Sequence, residues 1–440
     1  MTGADTARMV SNLQRLIRQP SVSATGEGIG ECACLVSEML EENGIRSRLL
    51  TIPGHAPVVY GHLPGRGVGT ILFYNHYDVQ PAEPLDLWEH PPFGGVVEDG
   101  RVYGRGATDD KGELVSRIEA VRALSEAGEL PCNVKFVIEG DEENGSRGIP
   151  AYLERYGEIM SCDGIVWEFG YVDEQGRPVV GLGMKGLMFV EMTARGPGRD
   201  LHSGAAPLVQ NPAWKLVGAL STLAGDDGRI RIPEWYAEAQ PFSEADMEEI
   251  RKMPYDAGAV KEEMCIERFV QGQDALQAKE DLAGVATCNI AGIWSGYTGD
   301  GTKTVLPARA SAKLDMRLVP GMDPQVQWNR FRDHLSHSGY GDIETELLHG
   351  EPGVRTSLDH PFVQAVRDAA DAAYGTHVLS VTYPETGPMW HFSTKLKAPC
   401  VLAGGTDVHA RLHAPDEYAR IDYMEKTAKM MMWLLSRPSV

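Results

Sequence analysis

Residues 5–18 place Met9, Leu13, Leu16 and Ile17 at helical spacing, which predicts an amphipathic helix with one buried stripe. Residues 27–44 predict a second helix, stopped at Gly44. Strands are expected next, at about 46–51, 57–62 and 70–75. The last of these holds Ile71-Leu72-Phe73-Tyr74, apolar without a break, and Val134–Ile138 and Ile165–Trp167 read the same way. Short unbroken apolar runs suit strands buried on both faces. A helix over 112–127 falls between the first two runs. Alternating helix and strand predict an α/β fold around a largely parallel sheet.

Near Gly186 the pattern changes. Leu187–Ala194 reads as a strand and Asn211–Leu223 as a helix started by Asn211-Pro212. Val285–Ile293 and Ala310–Leu318 read as strands, Asp323–Ser336 as a helix and Ile343–Leu348 as a strand. That β-α-β-β-α-β order is the split βαβ, ferredoxin-like layout. Arg229–Asp281, acidic and helical, interrupts it as an insertion. The α/β pattern returns with helix Pro361–Tyr374, strand Pro399–Leu402 and helix Tyr423–Leu435. We therefore expect a discontinuous α/β domain over 1–185 and 352–440, with a smaller domain inserted over 186–351. A chain of 440 residues is too long for one compact core, which agrees.

Composition narrows the function. The formal charge of −21 argues against nucleic acid and anionic membranes as partners. Seven scattered cysteines with no C-x-x-C pair argue against a disulfide framework and for a reducing, cytoplasmic compartment. Met1-Thr2-Gly3-Ala4-Asp5 has no basic segment followed by an apolar one, so no signal peptide is expected. No run of 18 apolar residues predicts a membrane span. Gly65–Gly69 is glycine-rich but lacks the Lys-Ser/Thr of a phosphate-binding loop.

The chemistry gathers at strand ends. His76 closes the Ile71–Tyr74 run and Asp78 follows two residues on. Asp109 lies 33 residues after His76, in the glycine-rich turn Gly104–Gly112. Asp141-Glu142-Glu143 follows Val134–Ile138, and Glu168 follows Ile165-Val166-Trp167. Each piece alone reads equally well as a capping pair, a polar turn or a solvated loop. As a set they are the imidazole and carboxylate donors with which an open α/β sheet builds a metal site. Asp78 suits a carboxylate that fixes the second nitrogen of a ligating His76. Of the adjacent pair Glu142 and Glu143, one can bind metal while the other faces the attacking water.

These stretches also resemble a known family over nearly the whole chain, in order. Phe73–Pro81, Tyr103–Gly112, Glu139–Ser146, Asp200-Leu201-His202-Ser203-Gly204, Lys303–Pro307 and Arg317-Leu318-Val319-Pro320 carry the likeness. It is to the two-zinc metallopeptidases that include carnosinase, aminoacylase, succinyl-diaminopimelate desuccinylase and carboxypeptidase G. The resemblance implies a zinc-exopeptidase-like catalytic domain and an inserted lid and dimerisation domain. It implies two Zn(2+) per subunit, with Mn(2+) or Co(2+) also suited to such mixed donors. His76, Asp109, Glu143, Glu168 and His413 would be the ligands, Asp109 bridging both ions next to a cis peptide to Asp110. His409 competes with His413 for the last place. Glu142 would be the general base, Asp78 the partner of His76, and His202 an oxyanion donor serving the other subunit of a homodimer. Arg317 would clamp a substrate carboxylate, with Thr304, Gly387 and Gly405 as further substrate contacts.

Two departures bear on the substrate. Glu168 stands where the carnosinase-like branch has Asp, and Thr386-Gly387-Pro388 where it has Gly-Gly-Ser. The implied activity is hydrolysis of an amide bond beside a free carboxylate, by a dipeptidase or carboxypeptidase. An N-acyl-amino-acid deacylase of aminoacylase, acetylornithine deacetylase or desuccinylase type is the alternative, and an inactive scaffold a further one.

Overall fold

A computed structural model describes residues 4–225 and 227–437; Met1-Thr2-Gly3, part of the expected leaderless start, lie outside them. The chain packs as two compact units. One comprises Met1–Gly183, Arg355–Val381 and Gly387–Val440, the other Met184–Val354 with Thr382–Thr386. The sequence pattern predicts that the larger domain runs on without interruption from 352, whereas Thr382–Thr386 groups with the smaller unit. Thr382–Thr386 joins the smaller unit because its groups bond there. Lys185 N–H donates to Tyr383 O at 2.9 Å and Arg317 Nη1 to Thr386 Oγ1 at 2.9 Å.

The larger unit is built on an eight-stranded sheet. Its order is Arg46–Leu50, Val58–Leu63, Asn133–Glu139, Thr70–His76, Gly164–Trp167, Cys400–Leu402, Val179–Gly181, Val378–Ser380. The strands that matter to the site are parallel: Thr70–His76 pairs with Asn133–Glu139 and Gly164–Trp167, which pairs with Cys400–Leu402. The sheet is mixed rather than largely parallel. Arg46–Leu50 and Val58–Leu63 are joined by a short link, and a link that short can only return antiparallel.

Alternate side chains of the central strand enter opposite cores, which is why the run is apolar throughout. Ile71 and Phe73 pack with helices Thr6–Arg18, Ile29–Glu42, Gly112–Glu126, Pro361–Tyr374 and Ile421–Leu435. Tyr74 instead stacks on Trp167 at 3.8 Å between ring centres, and Phe392 of helix Met389–Leu396 packs edge-on against both.

The smaller unit is an antiparallel sheet ordered Thr287–Ser295, Arg309–Leu318, Gly186–Arg195, Glu344–Glu351. In chain order that is 2-3-1-4, the ferredoxin-like arrangement. Helices Pro212–Leu223 and Pro324–His337 supply Leu216, Ala219, Phe331 and Leu335 to one core with Met188, Val190, Leu314 and Met316. Asn211 starts the first of these helices by accepting from Ala213 N–H at 2.8 Å. The acidic insertion forms helices Glu244–Lys252, Ala257–Glu263 and Ala275–Gly284.

One buried cation fastens the ends of the central strands. Arg117, on helix Gly112–Glu126, is fully buried. Its Nη1 donates to Tyr74 O at 2.7 Å and Asn75 Oδ1 at 3.1 Å. Its Nη2 donates to the carbonyls of Trp167, Glu168 (2.8 Å) and Ala403 (3.2 Å). Replacing it strands buried acceptors of three strand ends. Arg117→Met is expected to lower stability by about 3–5 kcal/mol. Arg117→Lys should recover only part of it, because an ammonium cannot reproduce the planar fork. Denaturant unfolding of the three proteins measures both; wild-type midpoints would remove Arg117 from this role.

Candidate metal centre

The carboxyl ends of three neighbouring strands and two loops converge. His76 is the last residue of Thr70–His76 and is buried. Its Nδ1 lies 3.0 Å from Asp78 O and 3.5 Å from Asp78 Oδ1. Its Nε2 lies 3.0 Å from Asp109 Oδ1 and 3.9 Å from Glu168 Oε2. The other oxygen of Asp109 lies 3.2 Å from His413 Nε2, which is also 3.1 Å from Glu143 Oε2. Asp109 thus presents one oxygen to each of two imidazoles. The Asp109–Asp110 peptide bond is cis.

Two donor groups result. The ligand atoms of Asp109, Glu143 and His413 lie within 4.8 Å of one another, and so do those of His76, Asp110 and Glu168. His413, not His409, joins this cluster; His409 is exposed and lines a separate surface cavity of about 310 Å³ with His90 and Arg411. Asp110 joins the group of His76 and Glu168 although no ligand role follows for it from the sequence motifs. Its Oδ2 accepts from Asn75 Nδ2 (2.6 Å) and His76 N–H (3.1 Å), and its Oδ1 is buried without a hydrogen bond. The doubled Asp109-Asp110 was the available signal.

Asp78 does more than face His76. Its carboxylate accepts the N–H groups of Glu142 (3.2 Å) and Glu143 (3.0 Å), and so fixes the short turn Glu142–Asn144. Gln80 Nε2 donates to Glu143 Oε2 at 2.9 Å.

The electrostatics are those of a site short of positive charge. Burial, then the nearby Glu168 carboxylate, pushes Glu142 well above the usual carboxylate range. Burial raises Asp110 and Glu168 likewise. Hydrogen bonds to Asp109 and then Glu143 raise His413 to about 10. Burial disfavours the charged form of Asp109, yet His413 and His76 hold its carboxyl well below the usual range. Glu168 Oε2 and Asp110 Oδ1 are buried without hydrogen-bond partners. An unpartnered buried carboxylate oxygen is costly, and a divalent cation would satisfy it. Two imidazoles among carboxylates suit zinc, manganese or cobalt. The residues therefore fit a metal.

The remaining candidates are placed as follows. His202, Thr304 and Arg317 belong to the smaller unit. Thr304 Oγ1 lies 3.5 Å from His202 Nε2, and His202 Nδ1 accepts from Gly204 N–H at 3.0 Å. Arg317 Nε donates to Asp315 Oδ1 at 3.1 Å. Gly387 belongs to the larger unit and follows Thr386 directly. Gly405 gives its N–H to Glu113 Oε1, so that donor is already used.

A parallel sheet edge that gathers histidines and carboxylates in two adjoining groups defines a metal-dependent hydrolase of the α/β exopeptidase class. Residues 72–437 match the model of Peptidase family M20/M25/M40, and the chain belongs to that family. It is similar to the Cys-Gly metallodipeptidase of Schizosaccharomyces pombe, 31% identical over 396 residues, covering 83% of this chain and 82% of that protein. It is 32% identical over 277 residues to human Beta-Ala-His dipeptidase, covering 61% of this chain and about half (53%) of that protein. The solved M20 family metallo-carboxypeptidase of Sulfolobus solfataricus superposes with a TM-score of 0.91 at 36% identity, covering 97% of this chain and 98% of that one. The protein is a metallopeptidase.

Metal loading should release protons. Raised to about 10, His413 would carry a proton at neutral pH that an incoming cation must displace, and burial shifts the carboxyls of Glu168 and Asp110 in the same direction. Apparent metal affinity should therefore climb with pH, and His413 should add to that climb until pH passes about 10. Calorimetry of zinc binding in two buffers of different ionisation heat measures the protons. Equal heats in both would contradict the protonation scheme.

Proposed function

We propose that this chain holds two divalent ions, zinc foremost, and hydrolyses the amide bond of a small peptide beside its free carboxylate. The carrying observation is Asp109, whose two oxygens lie 3.0 Å from His76 and 3.2 Å from His413. In this reading His76, Asp109 and Glu168 hold one ion, and Asp109, Glu143 and His413 the other. Bound ions would supply Lewis acidity, making water acidic near neutral pH and polarising the scissile carbonyl.

The chain's own groups do the rest. A carboxylate oxygen of Glu142 takes a proton from the attacking water as its oxygen adds to the carbonyl carbon. It returns that proton to the leaving nitrogen as the C–N bond breaks. Burial and like charge raise Glu142 and favour its accepting that proton. Asp78 holds the backbone of Glu142 in place. Arg317, steadied by Asp315 and Thr386, would clamp the substrate carboxylate through its remaining donors, with Thr304 and Gly387 as further contacts. His202 would donate to the developing oxyanion.

The names of the relatives, a Cys-Gly metallodipeptidase and a metallo-carboxypeptidase, support a peptide substrate cut beside its carboxyl end. Glu168 is the residue that favours the second reading, an N-acyl amino acid substrate. We place the enzyme in the cytoplasm, on the strength of seven free cysteines. We propose a homodimer through the smaller unit. Its edge strand Thr287–Ser295 exposes Ile290, Ile293 and Trp294 at 48%, 52% and 41%, and an apolar edge left bare invites aggregation. Among the described residues no helix is long and apolar enough to cross a membrane.

Parallel panels of dipeptides and N-acyl amino acids, with metal analysis of the same preparation, test the reading. Full metal content with no hydrolysis of either panel would overturn it. Glu142→Gln should keep both metals while turnover falls at least ~10²-fold; wild-type turnover in that variant would exclude Glu142 as the base. Mixing inactive His202→Ala with inactive Glu142→Gln under subunit exchange should restore activity. One site of the mixed dimer then has its own Glu142 and the other chain's His202. No recovery despite exchange would show that His202 does not act across subunits.

A further inference from the structure

Between Gly104 and Asp109 the chain wraps around a single buried carboxylate that the metal centre itself does not use. Glu417 is 1% exposed. Its Oε2 accepts from Gly106 N–H at 2.9 Å and from Arg105 Nη1 at 2.8 Å. Its Oε1 accepts from the N–H groups of Thr108 (3.0 Å) and Asp109 (3.2 Å). Gly104 N–H donates to the backbone oxygen of Glu417 at 2.9 Å. Arg105 is equally buried and reaches Pro81 O with Nη2 at 3.2 Å. The loop cannot slide around this anchor. Gly106 sits at φ +80°, and a Cβ there would meet Val79 Cγ1 at 2.4 Å.

Asp416, the preceding residue, is anchored to a second loop. Its Oδ1 accepts from Glu89 N–H and His90 N–H, both at 3.0 Å. His413 lies just upstream at φ +60°, with Arg411 and Asp416 at +58°, so three non-glycine residues are held in the left-handed region. Such a backbone persists only where its surroundings fix it. Neighbouring carboxylates thus hold two different loops: Asp416 the strap that delivers His413, and Glu417 the turn that delivers Asp109.

We infer that Glu417 is a positioning residue whose carboxylate, clamped by Arg105, sets the backbone of 106–109 so that Asp109 can face His76 and His413 at once. This rests on the metal-centre reading above. Glu417 touches neither donor group's ligating oxygens; it acts through the N–H of Asp109 itself. Removing a partner of this kind typically weakens metal binding ~10- to 100-fold.

The test uses Glu417→Gln in the full-length protein. The amide keeps one acceptor and turns an NH2 toward the donors that met the other oxygen. Zinc affinity of the metal-stripped protein is measured against a competing chelator, alongside kcat, KM and the melting temperature. We expect affinity to fall ~10-fold or more, kcat to fall at limiting zinc with KM little changed, and excess zinc to restore kcat. A merely structural ion pair would lower the melting temperature and leave zinc affinity alone. Wild-type affinity in folded Glu417→Gln therefore overturns the inference. If Glu417→Gln does not fold, Arg105→Lys decides: weakened zinc binding supports the role, and unchanged binding overturns it. Failure of the wild type to bind two equivalents would instead overturn the metal-centre reading.

Discussion

The guanidinium of Arg117 is the interaction on which the site depends. Parallel strands end in carbonyls with no neighbour beyond them, and here Tyr74, Trp167, Glu168 and Ala403 offer such oxygens at one spot. A single fork collects them. The strand ends are thereby locked in register, and the residues that follow them start from fixed points. His76 lies two residues after Tyr74, and Glu168 is itself one of the residues bound. The cluster's geometry is inherited from this seam behind it.

Such a seam is needed because the groups in front of it repel one another. Asp109, Asp110, Glu142, Glu143 and Glu168 are brought together around two imidazoles, and burial denies them the solvent that would screen them. Burial raises the carboxyls of Glu142, Glu168 and Asp110 in answer. Bound cations would offset that cost. The same crowding would favour a multivalent cation at the site.

Much of this was legible along the chain because two periodicities and a few strand-end residues carry it. The unbroken Ile71–Tyr74 run marks a strand buried on both faces, and the structure packs Phe73 and Tyr74 into opposite cores. The β-α-β-β-α-β order marks the ferredoxin-like sheet, found with strand order 2-3-1-4. Short elements were not legible: Val179–Gly181 and Val378–Ser380 are three residues each and have no period to read. The antiparallel half of the large sheet followed from a short link rather than from composition. In the cluster, the structure brings close together His76, Asp109, Glu143, Glu168 and His413, the residues that the family resemblance names. Arg117 and Glu417 were invisible, since their importance lies in which backbone groups they meet, and those lie far along the chain, 311 positions for Gly106 N–H with Glu417.

The strand Cys400–Leu402 has a further consequence. It lies in the interior of the large sheet, between Gly164–Trp167 and Val179–Gly181, yet it is the last of that sheet's strands to be synthesised. On the ribosome, therefore, some 220 residues emerge after Val179–Gly181 before the gap beside Gly164–Trp167 can be filled. Throughout that interval two apolar strands face each other across a missing partner, with unpaired backbone groups on each flank. A pause in translation upstream of Cys400 would prolong that exposure.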